Sequence, residues 1–167
     1  AFVSSRDGVP RIWLRQMQGG IEVPLTEGPD QQPAFSPDGS SILFLRTEGL
    51  TLSAYRIPIV GGSPRKLLDN VGETCWSPDG ARIAFMARDE GNWDIYVVNV
   101  DGSDLEQLTT DPARDGLPAW SPNGQAIAFV SDREGDNQWT IRGVNVDGTV
   151  QQKLLDMAGS PDGIVFY

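Results

Sequence analysis

The 167-residue chain has no histidine and only one cysteine, Cys75. Without histidine it lacks the commonest general base, the imidazole zinc ligands and any Ser-His-Asp or Cys-His arrangement. One cysteine cannot form an intrachain disulfide, so the redox compartment stays open. Basic residues are scarce, 13 against 23 acidic ones, for a net charge of -10. That balance argues against a nucleic-acid backbone as ligand, which needs clustered Lys and Arg. No apolar run approaches the roughly 18 residues of a helical membrane span, and no basic segment followed by an apolar one opens the chain. Neither a membrane span nor a signal peptide is therefore expected within it. The start, Ala1-Phe2-Val3, already lies in an apolar run and reads as a chain processed or excised from something longer. Catalytic motifs are missing as well. "GGSPR" at 61–65 and "AGSPDG" at 158–163 both fail the Gly-x-Ser-x-Gly spacing, and no phosphate-binding glycine loop leads into a helix. The expectation is a chain without catalysis of its own, without a cofactor and without a metal site.

What the sequence does have is repetition. "AFSPDGSSILFL" at 34–45, "CWSPDGARIAFM" at 75–86 and "AWSPNGQAIAFV" at 119–130 align without gaps, their aromatics Phe35, Trp76 and Trp120 lying 41 and 44 residues apart. A second apolar run follows each, then a Gly-containing turn, then "RKLL", "EQLT" or "QKLL". Each period holds four short segments, a to d, rich in β-branched and aromatic residues and bounded by Gly, Pro, Asn and Asp, which predicts strands. Ser-Pro-Asp-Gly suits a tight reversal, and Asn123 stands where Asp38 and Asp79 stand, so those aspartates read as turn formers. Four antiparallel strands per period of this length predict an all-β fold, a β-propeller. The N-terminal stretch 2–26 aligns on 85–109 and supplies segments b, c and d without a. An offset of 46 residues carries Trp120 onto Phe166, which makes Ile164–Tyr167 a segment a and the final "SPDG" at 160–163 a look-alike in the preceding loop. The expected fold is four four-stranded blades, 164–167 with 1–26, 33–68, 73–109 and 117–155, closed by pairing of the two terminal strands. An arc of a larger propeller matches the same phase.

These repeats resemble those of the TolB-type β-propeller on the combination of "SPDG", "IAF" and "DG…LT" over essentially the whole chain. The resemblance implies a non-catalytic scaffold that binds a protein or peptide, and a periplasmic location. Similar repeats occur in the gating propellers of prolyl-oligopeptidase-type serine peptidases, which gives an alternative reading, and a structural or designed repeat scaffold without a partner is another. TolB itself has more blades and a further domain, so its partner contacts have no residue-by-residue counterpart here.

Charge is uneven between the loops. In an up-and-down blade the d–a and b–c connections emerge on one face, and those loops carry fifteen acidic against five basic residues, leaving the rest of the chain balanced. The candidate partner-binding residues are the d–a carboxylates nearest segment a: Asp30, Glu73, Asp111, Asp115 and Asp162. Converging like charges focus a field toward a cationic ligand, so a cationic protein or peptide is the expected partner. The alternative for the same loops is a solvated rim. The aromatics at fixed places in segments a and c are expected to pack between blades, and Cys75, with no basic neighbour in sequence, to be a packed thiol. Nothing in the sequence sets the oligomeric state.

Overall fold

The computed structural model describes residues 1–89, 91–135 and 138–157, and the elements it assigns there are all β-strands. They form four antiparallel sheets. The first has β1 (Phe2–Ser4), β2 (Arg11–Arg15) and β3 (Glu22–Pro24). The second has β4 (Asp30–Phe35), β5 (Ser41–Glu48), β6 (Thr51–Pro58) and β7 (Arg65–Leu68). The third has β8 (Val71–Trp76), β9 (Arg82–Asp89), β10 (Asn92–Asn99) and β11 (Glu106–Gln107). The fourth has β12 (Asp115–Trp120), β13 (Ala126–Ser131), β14 (Thr140–Asn145) and β15 (Gln152–Asp156). Every strand pairs only with its neighbours in sequence, the meander order of a propeller blade. The expected closing strand Ile164–Tyr167, its pairing with the first sheet and the last "SPDG" lie outside the described residues. No helix among the described residues is long and apolar enough to cross a membrane.

The a–b turns are built by their own side chains. In the second sheet, Asp38 Oδ1 accepts the Ser36 hydroxyl at 2.6 Å and the Ser40 amide at 3.0 Å, while Ser36 Oγ accepts the Ser41 amide at 3.0 Å. Ser77 and Asp79 repeat the pattern in the third sheet, at 2.5 Å for the hydroxyl and 3.0 Å for the Ala81 amide. Asn123 Oδ1 makes the same two contacts in the fourth, to Ser121 at 2.7 Å and the Gln125 amide at 3.1 Å. The hydroxyl of Ser36, then the Ser40 donors, hold the Asp38 carboxyl down at about 2. Since the acceptor oxygen is what the turn needs, Asp38→Asn and Asp79→Asn should each change stability by no more than about 0.5 kcal/mol in chemical denaturation. Gly39 and Gly80 both sit at φ 70°, where a β-branched side chain is strained. Gly80→Val should therefore cost clearly more than Asp79→Asn, and an equal effect of the two would refute this account of the turn.

Two strands carry a bulge that matters for the site. Along β4 the pairing steps from Gln31–Leu45 to Ala34–Leu43, and along β12 from Gly116–Val130 to Ala119–Ala128, so each first strand holds one extra residue. Gln32 and Leu117 absorb it at φ 51° and 52°, and a proline follows each, where its missing N–H breaks no ladder bond.

The chain divides into two compact units, Ala1–Val71 and Gly72–Tyr167. Each has its own core, and the two are built alike. In the first unit Ile12, Leu14 and Leu25 of the first sheet meet Ile42, Phe44, Tyr55 and Ile57 of the second. In the second unit the aligned Ile95, Val97 and Leu108 meet Ile127, Phe129 and Val144, with Trp93, Trp120 and Cys75 packed against them. Phe44 and Phe129 are almost fully buried, and removing such a side chain from water stabilises a fold by about 1.5–3 kcal/mol. The Cys75 thiol donates to the Pro118 carbonyl at 3.0 Å, and burial pushes it up to about 12, so it is packed rather than reactive.

Candidate functional site

The loop side of each unit is organised around an aspartate that opens a first strand. Asp30 has no exposed side-chain surface, and its two oxygens accept Arg46 Nε at 2.6 Å and Nη2 at 2.9 Å. A paired register sets this up, because Asp30 lies directly opposite Arg46 across the β4–β5 ladder. The guanidinium lies over the Tyr55 ring, 4.8 Å from its centroid, and the Asp30 carboxylate holds its pKa above the ordinary arginine value. The guanidinium also packs on Gly28, where an added Cβ would stand 2.4 Å from Nε and push the arginine aside. Arg46 also lines a cleft of about 270 Å³ in the first unit, with Thr26 and the exposed Glu27.

The second unit repeats the pair and adds a second buried carboxyl. Asp115, fully buried, accepts Arg133 Nη2 at 2.8 Å, and Arg133 is itself only 12% exposed. Arg133 Nη1 donates to Gln151 Oε1 at 3.1 Å and lies 3.8 Å from Asp111 Oδ2. Asp111 caps its own loop, accepting the Ala113 amide at 2.9 Å and, through its carbonyl, Asn92 Nδ2 at 2.7 Å. On β10 the buried Asp94 accepts the Thr109 hydroxyl at 3.1 Å, while that hydroxyl oxygen takes the Ile95 amide at 3.0 Å. Thr26 holds the Ile12 amide in the same way in the first unit. Burial pushes the carboxyls of both Asp94 and Asp115 up, and the charge of Asp115 raises Asp94 further.

The five expected binding residues therefore fall into different settings. Asp30 and Asp115 are strand residues sealed against arginines, because the bulges carry β4 and β12 past Pro33 and Pro118 into what reads as loop. Arg133 brings Asp111 and Asp115 together, and Asp111 keeps 38% of its side chain exposed. Glu73 lies partly exposed in β8, and Asp162 falls outside the described residues. The repeat pattern by itself singles out none of Arg46, Arg133, Asp94 and Thr109. The usable signal was the pair "DQQPAF" and "DGLPAW", which puts an aspartate five residues before the aromatic in both repeats. Among the described residues no group of three His, Cys, Asp or Glu is arranged to hold a metal ion.

Comparison with known proteins agrees with this architecture. The chain is 42% identical over 88 residues to the Tol-Pal system protein TolB of Anaeromyxobacter dehalogenans, an alignment covering 52% of this chain and 20% of that protein. It is 37% identical over 78 residues to the uncharacterized peptidase YuxL of Bacillus subtilis, covering 43% of this chain and 12% of the peptidase. A solved structure assigned as TolB from Agrobacterium tumefaciens superposes with a TM-score of 0.79 at 26% identity, over 94% of this chain and 61% of that one. The chain thus spans about a fifth of the length of the TolB relative. A family profile described as the TolB beta propeller domain matches residues 69–160, more than half of the chain. This chain belongs to the TolB β-propeller domain family.

Proposed function

We propose that the chain is a non-catalytic binding module whose d–a and b–c loop face holds a cationic protein or peptide in the periplasm. The observation that carries this reading is the division of labour among the acidic residues. Asp30 and Asp115 are neutralised by part-buried arginines, which leaves Glu27 in the first unit, and Glu73 and Asp111 in the second, as partly or fully exposed carboxylates. Asp162 belongs to the same set by its place in the repeat. Carboxylates on a pre-ordered base bind a cation without first paying to order their loops. Charges closer together than the Debye length, about 8 Å at physiological salt, are only partly screened from one another.

The test uses a labelled oligo-lysine peptide and fluorescence anisotropy. Affinity should fall with added salt and should weaken several-fold in Glu73→Gln/Asp111→Asn, while Asp101→Asn/Asp104→Asn, in a c–d turn, should bind as the unaltered chain does. Identical binding by both double variants with no salt dependence would sink the proposal. A second reading, the gating propeller of a serine peptidase, is favoured by the match to the Bacillus subtilis peptidase. A hydrolase domain encoded next to this one in the full-length gene would support it.

A further inference from the structure

The buried cluster of the second unit has more negative charge than its contacts can absorb. Asp94 comes from β10 and Asp115 from β12, strands of two sheets that pack together. The charged groups around them are Arg133, from the loop after β13, and Asp111, from the loop after β11. The neutral ones are Asn92, Gln107 and Thr109 on the Asp94 side and Ser131 on the Asp115 side, with Gln151 on Arg133. Asp111 and Asp115 thus share one arginine, and the buried Asp94 has no ion pair among the described residues.

The donors are unevenly placed around the two carboxyls. Thr109 gives its one hydroxyl proton to Asp94, whose other oxygen has Asn92 Nδ2 at 3.4 Å. Ser131 and Thr109 flank Asp115, and Ser131 Oγ accepts Arg133 Nε at 2.9 Å, yet Asp115 Oδ1 is buried with no hydrogen bond made to it. A buried acceptor in that state costs desolvation that nothing returns. The first unit provides an internal comparison. It has the same threonine, Thr26, and the same aspartate–arginine pair, yet where the alignment of 2–26 on 85–109 puts Asp94 it carries Arg11. The same framework is built once with a cation at this position and once with an acid.

We propose that the Asp94–Asp115 pair holds one proton in the folded unit and acts as a pH-sensitive fastening between β10 and β12, tightest when that proton is bound. The proton comes from solvent, and as an O–H on one carboxyl it supplies the missing donor and removes one of two neighbouring negative charges. Both carboxyls are raised by burial, so the folded unit holds the proton more tightly than the unfolded chain does. The stability it contributes is fully present below the unfolded carboxyl value of about 3.9. It is lost as pH rises through the higher folded value.

Asp94→Asn mimics the protonated state, since the amide keeps an oxygen for Thr109 and offers N–H donors to its neighbours. Thermal melts of the full chain should show the variant matching the unaltered chain near about pH 4 and exceeding it by several degrees near about pH 8, as the linkage relation requires. A difference that does not change with pH, or a variant less stable throughout, would overturn the proposal. Side-chain carboxyl NMR of the unaltered chain gives an independent readout that needs no mutation. At least one of Asp94 and Asp115 should titrate more than about one unit above 3.9, and two ordinary titrations would overturn the proposal equally.

Discussion

Arg133→Ala should destabilise the second unit by about 3–5 kcal/mol, the usual cost of leaving one partner of a buried ion pair behind. For a chain of this size that is about 10 °C or more in Tm. Arg133 serves Asp115, Asp111, Gln151 and Ser131 at once, so its loss strips a fully buried carboxylate of its cation and the loop of its anchor. The loss should shrink in acid, where Asp115 can protonate. Removing both charges with Asp115→Asn/Arg133→Met should recover much of the stability, because the cost lies in the unpaired charge more than in the absent pair. Thermal melts of the single and double variants decide it, and a shift of under about 1 kcal/mol for Arg133→Ala, the range of exposed pairs, would show that the pair is not a structural anchor.

Phe129→Ala should cost a similar amount, about 3–5 kcal/mol, through lost burial and the cavity left behind. Phe129 is 1% exposed and lies in the core shared by the third and fourth sheets with Ile95, Val97 and Leu108. Its truncation removes contacts on both sheets, so amide exchange should accelerate in β10 as well as in β13. Leu50→Ala, at a fully exposed b–c turn, should stay within about 0.5 kcal/mol. If exchange rose in β13 alone, the packing between these sheets would be weaker than the shared core implies.

The features legible in the sequence were those set by neighbours along the chain. The Ser-Pro-Asp-Gly turn is complete within six residues, from Ser36 to Ser41, so its residue types alone disclose its bonds. Packing of Trp93, Trp120 and Cys75 follows from their place in the repeat, whereas Phe35, aligned with Trp120, is 48% exposed and corrects that expectation. The ion pairs at the site were not legible, because Asp30 meets Arg46 only through strand register, and that register depends on a bulge next to a proline. Pro33 and Pro118 look like the ends of loops, yet the extra residue lets each strand continue through them. Counting charges by loop thus put Asp30 and Asp115 in solvent, while the backbone placed them inside. Asp94 was hidden for a related reason: its neighbours Thr109 and Asp115 lie 15 residues or more further along the chain.

The meander order has a consequence for how such a chain comes to be folded. Each of the three four-stranded sheets pairs only strands that follow one another, so all the partners of its ladder bonds are present once the chain reaches Leu68, Gln107 or Asp156. Closing loops of this length early costs little chain entropy, and no strand has to wait for a distant partner. Folding can then proceed one sheet at a time, each new sheet closing beside those already formed.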